Sequence, residues 1–188
     1  MKNIQHRIIK KIGLLSTLLI FLGVASQSFA YDVVIQADDA AFRGDGQWPT
    51  PRFVEAIGAD GVPCSSLLRD KLTGLTWRKN AYEGRTNWQG AMNFAANFAK
   101  DHPISACGYT DWRVPNINEL RSLVNYGAQE PNIWLNANGF NNFQDTAGYW
   151  TSTEYGPDKD QAWLVDMGEG GTFFAPKRNG RAYVVIIR

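Results

Sequence analysis

The stretch Cys107-Gly108-Tyr109-Thr110-Asp111-Trp112-Arg113-Val114-Pro115-Asn116-Ile117-Asn118-Glu119-Leu120-Arg121-Ser122-Leu123 decides the fold. Its first half has a Gly, polar residues and a Pro around one Trp, the composition of a tight loop. Its second half opens a helix. Asn116 follows Pro115, and Glu119 stands three residues on, a capping-box-like arrangement in which each side chain satisfies the other's backbone N–H. Ile117, Leu120, Leu123 and Val124 then form an apolar stripe at helical spacing, and Gly127 is placed to end it. A Trp at a capped loop-to-helix junction suits a core anchor, burying on the order of 200 Å². Trp112 is therefore read as core. Asp111 and Arg113 are read as bonding to backbone or to each other around the loop.

Outward from this junction, two kinds of periodicity appear. Upstream, Trp88, Met92, Ala95, Ala96 and Ala99 fall on one helical face, with Asn87 as N-cap, so 88–100 is predicted helical. Leu72 to Trp77 mixes Leu, Thr and Trp, with Gly74 suggesting a turn or bulge. Residues 53–70 read as irregular. Downstream, 127–148 is rich in Asn and Gly and reads as a long loop. Tyr149–Tyr155, Gln161–Met167, Thr172–Pro176 and Ala182–Arg188 read as strands. They are separated by Gly156-Pro157-Asp158, Gly168 to Gly171, and Asn179-Gly180. Two helices packed on an antiparallel β-sheet make an α+β domain.

The N-terminal thirty residues have a different character. Lys2, Arg7, Lys10 and Lys11 precede an apolar run from Ile12 to Val24, and Ser28-Phe29-Ala30 supplies small residues at a cleavage site. This reads as a signal peptide over 1–30, too short to be a comfortable membrane span. An extended lead-in over 31–51 follows, with a short strand at Val33–Gln36, and then the domain over 52–188. Removing the leader takes four of the 19 basic residues and none of the 18 acidic ones, so the net charge of +1 becomes −3. No membrane anchor is expected after cleavage. The destination is an exported one, periplasmic or extracellular at the cell surface. Near-neutral charge in the 188-residue chain argues against a nucleic-acid partner. Forty-four per cent apolar content excludes wholesale disorder. Only two Cys and two His exclude most Cys/His metal frameworks, and no metal or cofactor is expected.

In an oxidising compartment Cys64 and Cys107 read as one disulfide. The alternative is a reactive or metal-binding thiol pair, for which His102 is the one His outside the leader.

Several blocks occur in order: Asp70-Lys71-Leu72-Thr73-Gly74-Leu75-Thr76-Trp77, Gly108-Tyr109-Thr110-Asp111-Trp112-Arg113-Val114-Pro115 with Glu119-Leu120, Tyr149-Trp150-Thr151-Ser152, Ala162-Trp163-Leu164-Val165-Asp166, and Tyr183 to Arg188. Over roughly 52–188 the chain resembles the Lcl C-terminal domain family, named for a domain of a bacterial collagen-like adhesin. The resemblance implies a secreted or surface protein, a fold akin to C-type-lectin-like and formylglycine-generating folds, and recognition of sulfated glycosaminoglycans through basic surfaces. The chain lacks a collagen-like Gly-x-y tract, and its last strand carries Ile186 and Ile187 where relatives often have Cys.

The function expected is a binding or adhesion module without catalysis. Its partner would be a glycan, a sulfated polysaccharide or an envelope protein. The alternatives are a structural or assembly module with no small ligand, and an enzyme related to formylglycine-generating folds. Trp77, Trp88, Trp150 and Trp163 lie on predicted elements and read as core, whereas Trp48 and Trp134 lie in loops and are candidate ligand contacts. Lys177, Arg178 and Arg181 surround a hairpin turn and form a candidate anion patch, against the plainer reading of a solvated, edge-protecting turn. Glu130-Pro131-Asn132 copies a calcium-binding lectin tripeptide, but a calcium ion needs six to eight oxygen ligands, too many for this sequence to supply there.

Overall fold

A computed structural model describes residues 48–81 and 84–188. The expected leader and the Val33–Gln36 strand lie outside the described residues. The first sheet is antiparallel, in the order β1 (Phe53–Ile57), β2 (Pro63–Asp70), β3 (Thr76–Arg78). Two helices follow, α1 (Trp88–Asp101) and α2 (Pro103–Ala106), and then α3 (Ile117–Arg121) and α4 (Pro131–Ala137). The second sheet is an antiparallel meander of β4 (Tyr149–Glu154), β5 (Gln161–Val165) and β6 (Thr172–Pro176). The class is mixed α+β, as expected, and the described residues hold two three-stranded sheets and four helices in place of one sheet and two helices.

The last seven residues explain how two small sheets share one domain. Ala182–Ile187 are all buried. Thr76 and Arg188 exchange both backbone bonds, Arg78 N–H donates to Ile186 O, and Arg113 and Ile187 exchange both bonds. At the other end Trp150 N–H donates to Tyr183 O, and Tyr183 N–H to Gly148 O. The expected terminal strand is thus a spine bonded to β3, to the Asp111–Pro115 loop and to β4. Because successive side chains of an extended chain point to opposite sides, the segment divides the interior in two. Tyr183, Val185 and Ile187 enter one core with Trp77, Leu120, Leu135 and Phe140. Ala182, Val184 and Ile186 enter the other with Phe98, Trp112, Trp150 and Leu164.

Helix α1 forms as its pattern predicts. Asn87 Oδ1 accepts from Gly90 N–H at 2.8 Å, and Ala91, Ala95 and Phe98 are buried. The capping box of α3 is complete in both directions. The helix is shorter than its stripe. Ser122 Oγ bonds to Glu119 O at 2.6 Å, and Leu123 and Val124 N–H donate three residues back instead of four. A side chain competing for the carbonyl ladder tightens the helix and ends it at Arg121, six residues before Gly127. The expected loop 127–148 contains α4, which starts on Pro131, an imino acid suited to the first helical turn. The expected irregular segment 53–70 is a hairpin. Its alternation is interrupted by a register shift between Glu55 and Ala56, and such a bulge resets the period-2 pattern. Among the described residues no helix is long and apolar enough to cross a membrane.

Cys64 and Cys107 are joined, with Cα atoms 6.3 Å apart, and no described cysteine is free. The bridge ties β2 to the loop entering the Asp111–Pro115 stretch.

Candidate functional site

The sequence places its late basic residues on the turn after β6, and the structure docks a second loop beside them. Thr86 and Ala182 exchange both backbone bonds, and Trp88 N–H donates to Lys177 O at 3.1 Å. Asn87 has two tasks. While its Oδ1 caps α1, its Nδ2 donates to Arg178 O at 3.3 Å. Arg85 donates through Nε and Nη2 to Arg181 O at 3.3 and 3.1 Å. Below them the indole of Trp150 donates to Thr86 O at 2.8 Å. Gly180 closes the turn over this ring. A Cβ there would stand 2.6 Å from Pro176 O and 3.0 Å from the Trp150 ring, so only glycine allows the approach.

Three exposed arginines, Arg85, Arg178 and Arg181, therefore share one end of the domain on hydrogen-bonded backbone. Lys177 is spent differently. Its ammonium pairs with Glu154 and lies 4.4 Å over the Trp88 ring, with its side chain 18% exposed. Glu154 also meets Lys159 at 3.4 Å. The hydrogen bond from Lys177, then that from Lys159, holds the Glu154 carboxyl below the ordinary range. Glu154 is thus paired with lysines, while Arg85, Arg178 and Arg181 are exposed residues. Arg85 was not legible in the sequence. It lies 96 residues from its partner, and a single Arg before a helix carries no signal of a distant turn.

Trp48 and Trp134 do meet, edge to face at 5.4 Å, and both are half-buried. They do not join the arginines. Arg52 lies 4.5 Å over Trp48 and 4.8 Å over Phe53, so Trp48 uses its face on Arg52. Trp77, Trp112 and Trp150 are buried core anchors. Trp163 is half-buried and sits on the outer side of the second sheet with Tyr155 and Phe174. Glu130 precedes α4 as its cap residue, and Asn132 is buried with its N–H donated to Met167 O at 2.6 Å.

The motif residues of the junction pair outward. Asp111 and Arg113 do not bond each other: Asp111 takes Arg188 at 2.8 and 3.2 Å, and Arg113 takes Glu119 at 2.7 and 2.6 Å. Trp112 points in between them and donates its indole N–H to Tyr109 O at 3.1 Å. Pro115 O accepts from Ser152 N–H at 2.8 Å, docking the junction on β4. The Arg188 hydrogen bond holds Asp111 below the usual carboxylate range. Burial works to raise Glu119, but the Arg113 bonds, the Asn116 N–H and the Arg113 charge outweigh it, and its carboxyl is also lowered. A group whose pKa is lower folded than unfolded contributes stability that is fully present above its unfolded value. That contribution is lost as pH falls through the folded value. Urea midpoints should therefore fall as pH drops below about 4, near the unfolded carboxylate range. Glu119→Gln should flatten this acid limb while lowering the midpoint at pH 6. An acid limb as steep as that of the parent would show that Glu119 contributes nothing to it.

No curated protein shows significant similarity to the chain. A family model described as the Lcl C-terminal domain matches residues 66–188. That span takes in β3, the Asp111–Glu119 junction, the second sheet, the arginine-bearing turn and the spine, so the chain belongs to the Lcl C-terminal domain family.

Proposed function

We propose that this domain is an exported binding module of the bacterial envelope that takes sulfated or otherwise anionic polysaccharide chains on Arg85, Arg178 and Arg181. The observation that carries the reading is the presence of three exposed arginines on two mutually bonded segments, with Glu154 already paired to lysines. Guanidinium groups suit sulfate because their fork of N–H donors matches its oxygens in pairs. The mature net charge supplies no bulk attraction, so recognition must be local. Kinship with C-type-lectin-like folds belongs to the same proposal. The reading assigns no catalysis. Thiol chemistry of the formylglycine-generating kind needs a free thiolate, and Cys64 and Cys107 are bonded to each other.

Heparin serves as the probe. The protein should be retained at low ionic strength and released as salt screens the contact. Arg178→Glu with Arg181→Glu should weaken retention by roughly 10-fold or more, since two charge-assisted contacts are lost and two repulsions added. Retention indifferent to salt and to both reversals would reject the arginine site and favour an assembly module.

A further inference from the structure

A cleft of about 250 Å³ opens beside β2 and β3, away from the residues assigned above; Ser65, Ser66, Ser105, Arg78 and Lys79 line it. Asn141 also lines it and at the same time lines a second cleft of about 470 Å³, with Asn136, Asn142, Gln144, Phe140 and Phe143. The two are neighbours across one residue. Asn141 is fixed there by its backbone: its N–H donates to Lys79 O at 2.9 Å, and its O accepts from Ala81 N–H at 3.0 Å. Asn142, in the left-handed region at φ +65°, donates its amide to Asn80 Oδ1 at 3.0 Å. The walls are thus set by main-chain and amide bonds before any ligand arrives.

The chemistry of the two clefts differs. The smaller is rich in donors: a guanidinium, an ammonium and three hydroxyls, with no carboxylate among its described lining residues. The Arg78 guanidinium is stacked 4.8 Å over the Phe98 ring, which fixes its position. Lys79 is half-buried and forms no ion pair among the described residues. At this size the cleft is smaller than the usual small-molecule pocket and suits a substituent, a tetrahedral oxyanion with several acceptor oxygens. The larger falls within the range for a small ring, and its polar wall is made of amides, which can donate to and accept from hydroxyls. We infer that the pair of clefts is a binding site for a sugar carrying a phosphate or sulfate monoester, the ester group against Lys79, Arg78 and the serines and the sugar hydroxyls against Asn141 and Gln144. This site is independent of the arginine cluster, and it reads a single pendant group, not the charge density of a chain.

The test is calorimetric titration of the full chain with glucose 6-phosphate, glucose 6-sulfate, glucose and inorganic phosphate. At least one ester should bind saturably, about 10-fold or more tighter than either glucose or inorganic phosphate. Lys79→Gln should weaken the ester by about 10-fold, the loss of one charged hydrogen bond. Asn141→Ala, at an exposed position, should also weaken it. Arg178→Glu with Arg181→Glu should leave ester binding unchanged, so this proposal and the heparin reading fail separately. Preference for the phosphate ester assigns the source to a phosphorylated glycan, and preference for the sulfate ester to a sulfated one. No saturable ester binding, equal affinity for inorganic phosphate, or unchanged affinity in Lys79→Gln overturns the assignment.

Discussion

Asp70→Ala should destabilise the domain by about 3–5 kcal/mol, the cost of leaving a buried charge without its partner. Asp70 is fully buried, and each of its oxygens has two donors. Oδ1 accepts from Arg52 Nε at 2.9 Å and Leu72 N–H at 2.9 Å, and Oδ2 from Arg52 Nη2 at 2.6 Å and Thr73 Oγ1 at 2.8 Å. The carboxylate therefore closes the turn between β2 and β3, where Gly74 takes a φ of +73°, and neutralises Arg52 at the same time. Arg52 has little else. Its Nη2 also donates to Ser122 O at 2.7 Å, while its buried Nη1 has no hydrogen-bond partner. Removing Asp70 would strand the guanidinium beneath Trp48 and Phe53. Asp111 and Arg188 form a pair of similar geometry, but the Asp111 side chain is 60% exposed. Asp111→Ala should cost no more than about 1 kcal/mol, because solvent screens that pair. Urea unfolding of the two variants, compared at equal slopes, isolates burial as the deciding variable. A loss below about 1 kcal/mol for Asp70→Ala would show that the Arg52–Asp70 pair is replaceable by relaxation of the turn.

What could be read from the chain follows from the range of each interaction. Caps were legible because donor and acceptor lie three residues apart, as at Asn87–Gly90 and Asn116–Glu119. Trp77, Trp112 and Trp150 were legible as anchors because large aromatics on regular elements must be buried somewhere. The β1–β2 hairpin was hidden by the bulge at Glu55–Ala56. Helix α4 was hidden by its asparagines, since Trp134 and Leu135 are the two residues of its seven that join the apolar core cluster. Trp163 reads as core from the sequence, yet its place on β5 opposite Phe174 sends it to the outer side of the sheet. Asp70 opens a block that resembles the family pattern, but its counterion lies 18 residues back in a stretch with no pattern of its own. At the candidate site, Arg178 and Arg181 were found because they are neighbours in sequence. Lys177 stands beside them in sequence, although Glu154 and Trp88, which draw it away, come from other elements. Local chemistry was written in the sequence, and pairings across 60 to 100 residues were set by the two cores.

Removing the disulfide should have the other large effect, about 4 kcal/mol in the chain-entropy model for a bridge spanning 43 residues. Native-state contacts around it argue that the loss acts through the unfolded chain. Ala59 N–H donates to Cys107 O at 2.9 Å, and Tyr109 Oη donates to Ile57 O at 2.9 Å. Cys64 lies in the second core with Ala56 and Ala106. These contacts hold β1 and β2 against the loop after α2 whether or not the sulfurs are joined. The Cys64→Ala, Cys107→Ala variant should therefore keep its circular dichroism and lose unfolding free energy. Wild-type protein in excess dithiothreitol should fall to the variant's level, and the variant should not respond. The arginine-bearing segments are bonded to each other and to Trp150, not to the bridge. The reduced folded protein should accordingly keep its heparin retention at temperatures well below unfolding. Stability unchanged by dithiothreitol would mean that the unfolded chain gains no freedom from losing the bridge. A loss of heparin retention in protein that still shows native dichroism would mean instead that the bridge positions the arginine end through the core.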